Sequence, residues 1–335
     1  MSDQASNVPR ARITLDGKDL SPLIDPRLVS LRLQEKRGDE ADQLDIVLSD
    51  TDGKLALPSP GAVLRLELGW ERGDNVSVGL IDKGSFKVDA IGHSGPPDAV
   101  TIRARSADFT SKIRGRRDQS WRGKSLGQII RDVAGRNGLK AHIDQALGGK
   151  VLKILTQSRE SDIALLKRLG KEHDAVATVK DGKLIFAQIG KGTTASGASI
   201  PRLTIRRRDG DKHSYDIEKR DEYTGVTAKW RDAKGAKRNK VTVGGDDNAK
   251  ALKRVYPSEA EARRAAQAER GRIQRATAKM TLTLAYGRAD LYPERKAKVQ
   301  GFKADIDGTD WLITEVTHEM SKRGLTSQLQ LETAA

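Results

Sequence analysis

The strongest constraint on this 335-residue chain is an echo within it. Residues Trp311 to Gln330 read as a strand, a turn ending at Gly324, and a second strand carrying Leu325 and Leu329, with Leu331 just beyond. Moved back by 225 positions, the stretch falls without a gap on Phe86 to Arg105. Trp311 lands on Phe86, Ile313 on Val88, Val316 on Ile91 and His318 on His93, and Leu325-Thr326 lands on Val100-Thr101. Upstream, with a small gap, Pro60-Gly61, the run Val63 to Leu68 and Gly69-Trp70 resemble Pro293, the run Lys296 to Gln300 and Gly301-Phe302. Any two amphipathic hairpins share alternation. They need not also share a loop length, a histidine and a Gly-aromatic pair. The expectation is a duplicated β domain in which residues 10–110 and 200–335 superpose. Phe86 and Trp311 should be at least partly buried, and the paired histidines structural. Different strand orders in the two regions would make the echo chance.

The rest of the chain fits around these two copies. After a polar arm over residues 1–9, alternation at Val29, Leu31 and Leu33, at Leu44, Ile46 and Leu48, and at Leu64, Leu66 and Leu68 predicts a barrel or sandwich. Asp16-Gly17 marks a turn. Ser49-Asp50-Thr51-Asp52-Gly53 mimics the start of a calcium loop, but Pro60-Gly61 stands where the closing Glu is needed, so a tight turn is expected. After Ser106 the period changes. Ser125 and Gln128 have capping-box spacing, with Leu126, Ile129, Ile130 and Val133 on one helical face. A second helix is expected from Ser161 to Lys171, then a hairpin around Asp181-Gly182. Strands are expected again at 224–230, 240–243, 280–285 and 296–306, and a helix capped by Ser258. The fold class expected is mainly β with an α+β insertion: two similar β-barrel domains flanking a small α/β domain. The boundaries are 1–110 for the first barrel, 111–190 for the α/β unit, 191–200 for a linker, and 201–335 for the second barrel with an inserted helix at 258–277.

Composition removes several classes of function. With no cysteine, disulfides and thiolate chemistry are excluded. No apolar run is long enough to span a bilayer as a helix. The five histidines, at 93, 142, 173, 213 and 318, have no metal-ligand spacing, and no nucleophile elbow, phosphate loop or dinucleotide fingerprint occurs. No catalytic residue, metal or cofactor is therefore expected. The net charge of +15 invites a nucleic-acid reading. Aromatics are only 4% and the basic clusters, Lys112–Lys124 and Arg202–Lys240, are interspersed with acids, which favours protein partners instead.

These features together resemble a known family, the late control gene D family of contractile-tailed phages, which forms the central hub of the baseplate. The same architecture occurs in the N-terminal part of type VI secretion spike proteins. In the first copy the resemblance is carried by Ala41 to Leu48, the Leu57-Pro58-Ser59-Pro60-Gly61 turn and Gly69-Trp70. In the middle it is carried by Lys124 to Ile130 and Ser161 to Leu169, and later by Tyr256-Pro257-Ser258, the Ala/Arg helix and Asp307 to Ile313. Single motifs are weak, but their order and spacing cover nearly the whole chain.

The resemblance implies a homotrimer whose six barrels continue a six-fold tail tube and receive a three-fold spike. It implies as partners the tail tube protein, the spike, other baseplate proteins and the tape-measure protein, in a virion or tail-like particle assembled in the bacterial cytoplasm. The sequence stops at Ala335 directly after the second barrel, so the spike is expected to be a separate protein. Whether the particle is a phage or a DNA-free bacteriocin stays open. Basic residues found in only one copy, Arg206, Arg207, Arg208, Arg231, Lys234, Lys237, Arg238 and Lys240, are the candidate docking surface. Two alternatives compete: a peptidoglycan-binding module of LysM type, from the helix at Ser125–Gly138, and a basic nucleic-acid-binding protein.

Overall fold

The computed structural model describes residues 6–15, 17–38, 41–57, 59–106, 111–180, 182–194, 197–217, 223–231 and 237–334. The turn residues Asp16, Pro58 and Asp181 lie outside the described residues.

The N-terminal region is a rolled antiparallel sheet. Its strands are β1 (Val8–Leu15), β2 (Lys18–Asp19), β3 (Leu28–Lys36), β4 (Gln43–Ser49), β5 (Val63–Arg72), β6 (Gly79–Ser94) and β7 (Ala99–Ser106). The one-turn helix α1 (Ser21–Ile24) links β2 to β3. Period-two alternation puts Leu31 and Leu33 of β3, Leu44, Ile46 and Leu48 of β4, and Leu64, Leu66 and Leu68 of β5 on one face. These residues join Ile13, Phe86 and Ile102 in one core. The spatial order is β1-β5-β6-β7-β4-β3.

A small α/β unit follows. It contains β8 (Arg116–Ser125), α2 (Leu126–Arg136), β9 (Lys140–Ile143), α3 (Gln145–Gly148), β10 (Val151–Ser161), α4 (Asp162–His173), β11 (Ala175–Lys180) and β12 (Lys183–Gln188). Ser125 and Gln128 form the reciprocal cap, at 3.2 and 2.9 Å. The apolar faces of α2 and α4 close over β11, β12 and β9 in a core of their own.

The C-terminal region rolls a second sheet from β13 (Leu203–Arg206), β14 (Gly210–Ile217), β18 (Ala278–Leu284), β19 (Lys296–Gln300), β20 (Asp310–Ser321) and β21 (Gly324–Thr333). Its spatial order is β13-β19-β20-β21-β18-β14. Between β14 and β18 stand β15 (Gly225–Arg231), β16 (Arg238–Gly244), β17 (Ala249–Tyr256) and α5 (Glu259–Arg275). Ser258 caps α5 by accepting from the Glu261 N–H. The small side chains of Ala262, Ala265 and Ala266 let this helix lie close against Val226, Ala228 and Val241 in a separate small core. The strand expected over 296–306 stops at Gln300. There the Asp307 carboxylate accepts from the N–H groups of Gly301 and Phe302, bending the chain into the short helix α6 (Ala304–Gly308).

The two rolled sheets are one sheet. The first residues of β20, Asp310 to Leu312, pair with β19, and the rest, Glu315 to Ser321, pair with β3 of the N-terminal region. Met320 and Leu325, at the tip of the last hairpin, belong to the N-terminal core.

Candidate functional site: the seam between the sheets

Where β20 meets β3, charge is buried. Glu35 occupies the inward phase of β3, after Leu31 and Leu33, and is 2% exposed. Lys83 of β6 donates to its carboxylate at 2.5 Å and to the Leu291 carbonyl at 3.1 Å. Lys180 of β11 approaches the other oxygen at 3.5 Å. His318 lies 3.4 Å away through Nε2, while its Nδ1 meets the Ser327 hydroxyl at 2.8 Å. Ser327 accepts in turn from the Arg288 N–H. Each of the three units of the fold thus sends a side chain to one carboxylate.

A second cluster continues the seam outward. Arg37, just past β3, pairs with Glu294 and, at 2.6 Å, with Glu332 of β21. Arg275, at the end of α5, pairs with Asp174 at the end of α4 and lies 3.4 Å from Glu332. Trp70 adds a neutral tie: its indole N–H donates to the Gly287 carbonyl at 2.8 Å, and Tyr286 meets its ring edge-on. The loop from Ala285 to Arg295 is therefore fastened to the N-terminal sheet by Trp70, Lys83 and Arg37. Gly287 can lie there because a Cβ would stand 2.7 Å from Leu325 and 2.9 Å from the Thr326 carbonyl.

Burial pushes the Glu35 carboxyl up, but Lys83, the hydrogen bond from His318 and Lys180 outweigh it and hold it at about 2. Burial pushes the His318 imidazole down, so the ring stays neutral at neutral pH and serves as a hydrogen-bonding link. Burial likewise lowers His173, at the end of α4, to about 3, with Lys150 and Arg264 adding repulsion. Asp42, near Lys180 and Glu35, runs the other way: burial raises it to about 6.

The echo residues occupy matching places with unequal surroundings. Phe86 and Trp311 are both fully buried, and Val88, Ile313 and Val316 are core residues. Register shifts after Val88 in β6 and after Ile313 in β20 leave Asp89 and Thr314 as the bulged residues. Gly61 N–H donates to the Val88 carbonyl and Val88 N–H to Ala62, while Glu294 N–H donates to Ile313 and Ile313 N–H to Arg295. Gly61 and Glu294 are both left-handed, at φ 92 and 73. Opposite the strands the echo slips by two: His93 faces Val100, but His318 faces Ser327. His318 is fully buried, whereas the His93 side chain is 47% exposed beside Asp50, and Ile91 is half-buried.

The basic residues fall into two groups. Arg206, Arg207 and Arg208 are exposed where β13 ends, with Arg207 over the Phe302 ring and Arg208 4.0 Å from Asp209. Arg231, Lys237, Arg238 and Lys240 are exposed around the β15–β16 hairpin, where Arg231 stands opposite Arg238 and Lys229 opposite Lys240. Lys234 lies outside the described residues. The ionic seam was not foreseen from the sequence. The signal available was Glu35, a charge in the core phase of an alternating strand. No group of three or more potential metal ligands occurs among the described residues.

Two rolled sheets fused edge to edge, with an α/β unit locked against the joint, make a fold that solved phage-tail proteins share. Residues 42–324 match the phage tail baseplate hub (GPD) family model, and the chain belongs to that family. It is 41% identical to the probable baseplate hub protein of Escherichia phage 186, over 98% of this chain and 93% of that protein. Among solved structures, the prophage MuSo2 43 kDa tail protein of Shewanella oneidensis has a TM-score of 0.67 at 16% identity, covering 96% of this chain and 98% of that one. An Escherichia coli type VI secretion system component has a TM-score of 0.55 at 14% identity, covering 98% and 77%. A baseplate hub is a structural part of the phage tail. Neither the peptidoglycan-binding nor the nucleic-acid-binding reading finds support in these matches, and the apolar face of α2 is buried in its own domain's core.

Breaking the seam charge by charge should show its cost. Lys83→Met removes the nearest cation from the buried Glu35 carboxylate, leaving the half-exposed Lys180 at 3.5 Å, and is expected to cost about 3–5 kcal/mol in urea unfolding. Glu35→Leu combined with Lys83→Met should recover most of that loss; a double variant as unstable as the single would refute the ionic account. The pH response follows from the same groups. The folded pKa values of His318 and His173 lie below their ordinary 6.5, so the stability they give is complete above that pH and is lost on acidification. Asp42, raised to about 6, and Glu294, Glu172 and Asp25, each raised by burial, act in the opposite sense and gain stability as pH falls. The contribution of one histidine is separable: relative to the unmutated chain, the urea midpoint of His173→Phe should rise as pH is lowered from 7 to 5, and no change in that difference would remove His173 from the account.

Proposed function

We propose that three copies of this chain close into a ring at the centre of the baseplate, joining a six-fold tail tube to a three-fold spike carried by a separate protein. One observation carries the reading. In chain order, β1, β3, β4, β5, β6 and β7 correspond to β13, β14, β18, β19, β20 and β21, and the spatial order of the two sets is the same. The matching bulges and turn hydrogen bonds make duplication the simplest origin. Three chains with two such sheets each offer six similar faces to a tube, while the α/β unit and the 225–275 insertion occur once per chain and preserve three-fold identity. The β13–β19 pair is parallel where β1–β5 is antiparallel, so the correspondence is closest in the other five strands.

The role is structural rather than catalytic. The once-per-chain basic groups face partners other than the tube: the spike, neighbouring baseplate proteins or the tape-measure protein. Like charges directly opposite one another on β15 and β16 are unfavourable by themselves. Acidic partner surfaces would relieve that repulsion and set orientation and association rate.

Native mass spectrometry of hub plus spike should give three hub and three spike chains, and a stable one-to-one complex with no trimer would overturn the ring. Reversing Arg206, Arg207 and Arg208 to Glu should change folding stability by no more than about 0.5 kcal/mol, since these are exposed loop residues. It should lower particle yield, and high salt should impair the same step in the unmutated protein. Normal yield from the triple variant would reduce this charge to a solvated surface.

A further inference from the structure

The insertion between β14 and β18 is a three-stranded sheet with one open face. α5 covers the side on which Val226, Ala228 and Trp230 of β15 meet Val241 and Val243 of β16 and Tyr256 of β17. The two-residue period turns Thr227, Lys229 and Arg231 the other way. Thr242, Lys240 and Arg238 of β16 stand directly opposite them, and Val255 of β17 lies beside Lys229. Lys229, Arg231, Arg238 and Lys240 are exposed, and so is Val255, at 39%. At one end of the face the Thr227 and Thr242 hydroxyls bond to each other at 3.0 Å.

The charge on this face is uncompensated. The three strands carry seven lysines and arginines and no acidic residue. Two of the seven are neutralised from other elements: Lys250 pairs with Glu269 of α5 at 2.9 Å, and Arg254 with Glu172 of α4. Lys229, Arg231, Arg238, Lys240 and Lys253 form no ion pair with another described residue. Other α5 carboxylates are engaged elsewhere: Glu259 with Arg263 at 2.8 Å, and Glu261 with the Lys153 N–H at 3.3 Å. Lys229 faces Lys240 and Arg231 faces Arg238, so four cations form a two-by-two array. Its spacing is about 5 Å across the strands and about 7 Å along them. Like charges directly opposite one another weaken a strand pair. The array therefore works against the fold, and no described carboxylate relieves it.

We propose that the open face of β15, β16 and β17 docks an acidic polypeptide segment of another tail component, whose carboxylates neutralise the Lys229, Lys240, Arg231 and Arg238 array. This rests on the reading above that the once-per-chain basic groups meet partners, and it names the surface and the chemistry of its partner. Carboxylates four residues apart on a helix, or two apart on an extended chain, have the spacing of the array. Val255 offers an apolar contact beside the charge. Trp230 and Tyr256 are turned towards α5, so the face has no aromatic platform for nucleic-acid bases. A second copy of this chain, with net charge +15, is a poor source of acid. The face is also held in place without a partner, because α5 and its alanines brace the sheet from behind, which lowers the ordering cost of docking. The arginine run at 206–208 fits the role less well: Arg207 lies over the Phe302 ring and Arg208 stands beside Asp209.

Docking and folding make opposite demands on these residues, and one variant separates them. Lys229→Thr with Arg238→Thr removes one member of each opposed pair, and threonine suits a strand. The urea midpoint of the isolated chain should rise, while the yield of tail particles falls several-fold. A raised midpoint with normal yield would mean that the charge has no partner, and a lowered midpoint would mean that it serves the fold; either overturns the proposal. A glutamate-rich peptide titrated onto the unmutated chain should bind with an affinity that falls as salt rises and is at least tenfold weaker in the double variant. A single-stranded oligonucleotide of the same charge should bind more weakly than the peptide. Tighter oligonucleotide binding that the double variant loses would make this a nucleic-acid surface and overturn the proposal. Reversing Arg206, Arg207 and Arg208 to Glu should leave peptide affinity within about twofold, whereas loss of binding there would place the peptide on the arginine run and overturn it. Native mass spectrometry keeps the ring separate. The double variant should still give three hub chains, and its loss of the trimer would put the face between copies and overturn the proposal. An unmutated hub that is not trimeric overturns the ring alone, because peptide binding and its loss in the double variant are read on the isolated chain.

Discussion

The structure depends on one strand pair, β20 with β3, and on the charge buried beside it. The pair joins residues nearly three hundred positions apart in a chain whose other ladders lie mostly within one unit. The other face of the pair is held by polar contacts alone: Gln34 donates to Glu315 at 2.7 Å, and Arg32 lies 3.6 Å from Glu319. Thr317 faces Gln34 and Glu319 faces Arg32, and polar pairs of this kind tolerate slippage. Glu35 supplies the constraint. A slip by one residue would carry it to the outer face and leave Lys83, at 4% exposure, without its carboxylate. A buried ion pair is poor evidence of stability, because desolvation offsets the Coulomb gain. Its better-supported use is to select one arrangement among near-equals, and a junction between two similar sheets is where such selection is needed.

The second ionic cluster extends this selection to the units that are not repeated. Arg37 follows β3, Glu294 lies in the loop before β19 and Glu332 on β21, with Arg275 on the inserted helix and Asp174 on the α/β unit. Each unit has its own apolar core, and the last hairpin lends Met320 and Leu325 to the N-terminal one. What the ionic contacts add is orientation: bidentate Arg–carboxylate pairs are directional, while apolar contact is not.

How much of this was legible in the sequence follows from the range of each signal. Alternation in β3, β4 and β5, the Ser125–Gln128 cap and the Ser258 cap are local, and they read directly. The echo between Phe86–His93 and Trp311–His318 was legible because duplication leaves a trace at fixed spacing. The slip of two residues opposite it was not, because loop length is set by turns whose alternatives differ little in energy. The seam partners of Glu35 lay beyond reach. Lys83, Lys180 and His318 come from three separate units, and one sequence records no contact between them. The early end of β19 was hidden for a different reason: a single carboxylate, Asp307, captures two N–H groups that the strand would otherwise have used.

Duplication alone would give a chain with two interchangeable sheets. The differences between the two sheets remove that interchangeability. At the internal junction the inward positions are Glu35 and His318, charged and polar; along the matching ladders their counterparts are Ile217 in β14 and His93 in β6. A β14 edge offered to β20 would place an isoleucine where Lys83 requires a carboxylate. A β3 edge offered to β6 would meet His93, which has Val100 opposite it and lacks the Ser327 hydroxyl that holds the His318 ring. β3 and β20 are thus chemically suited to each other and penalised with the corresponding strands, which is discrimination by repulsion as much as by attraction.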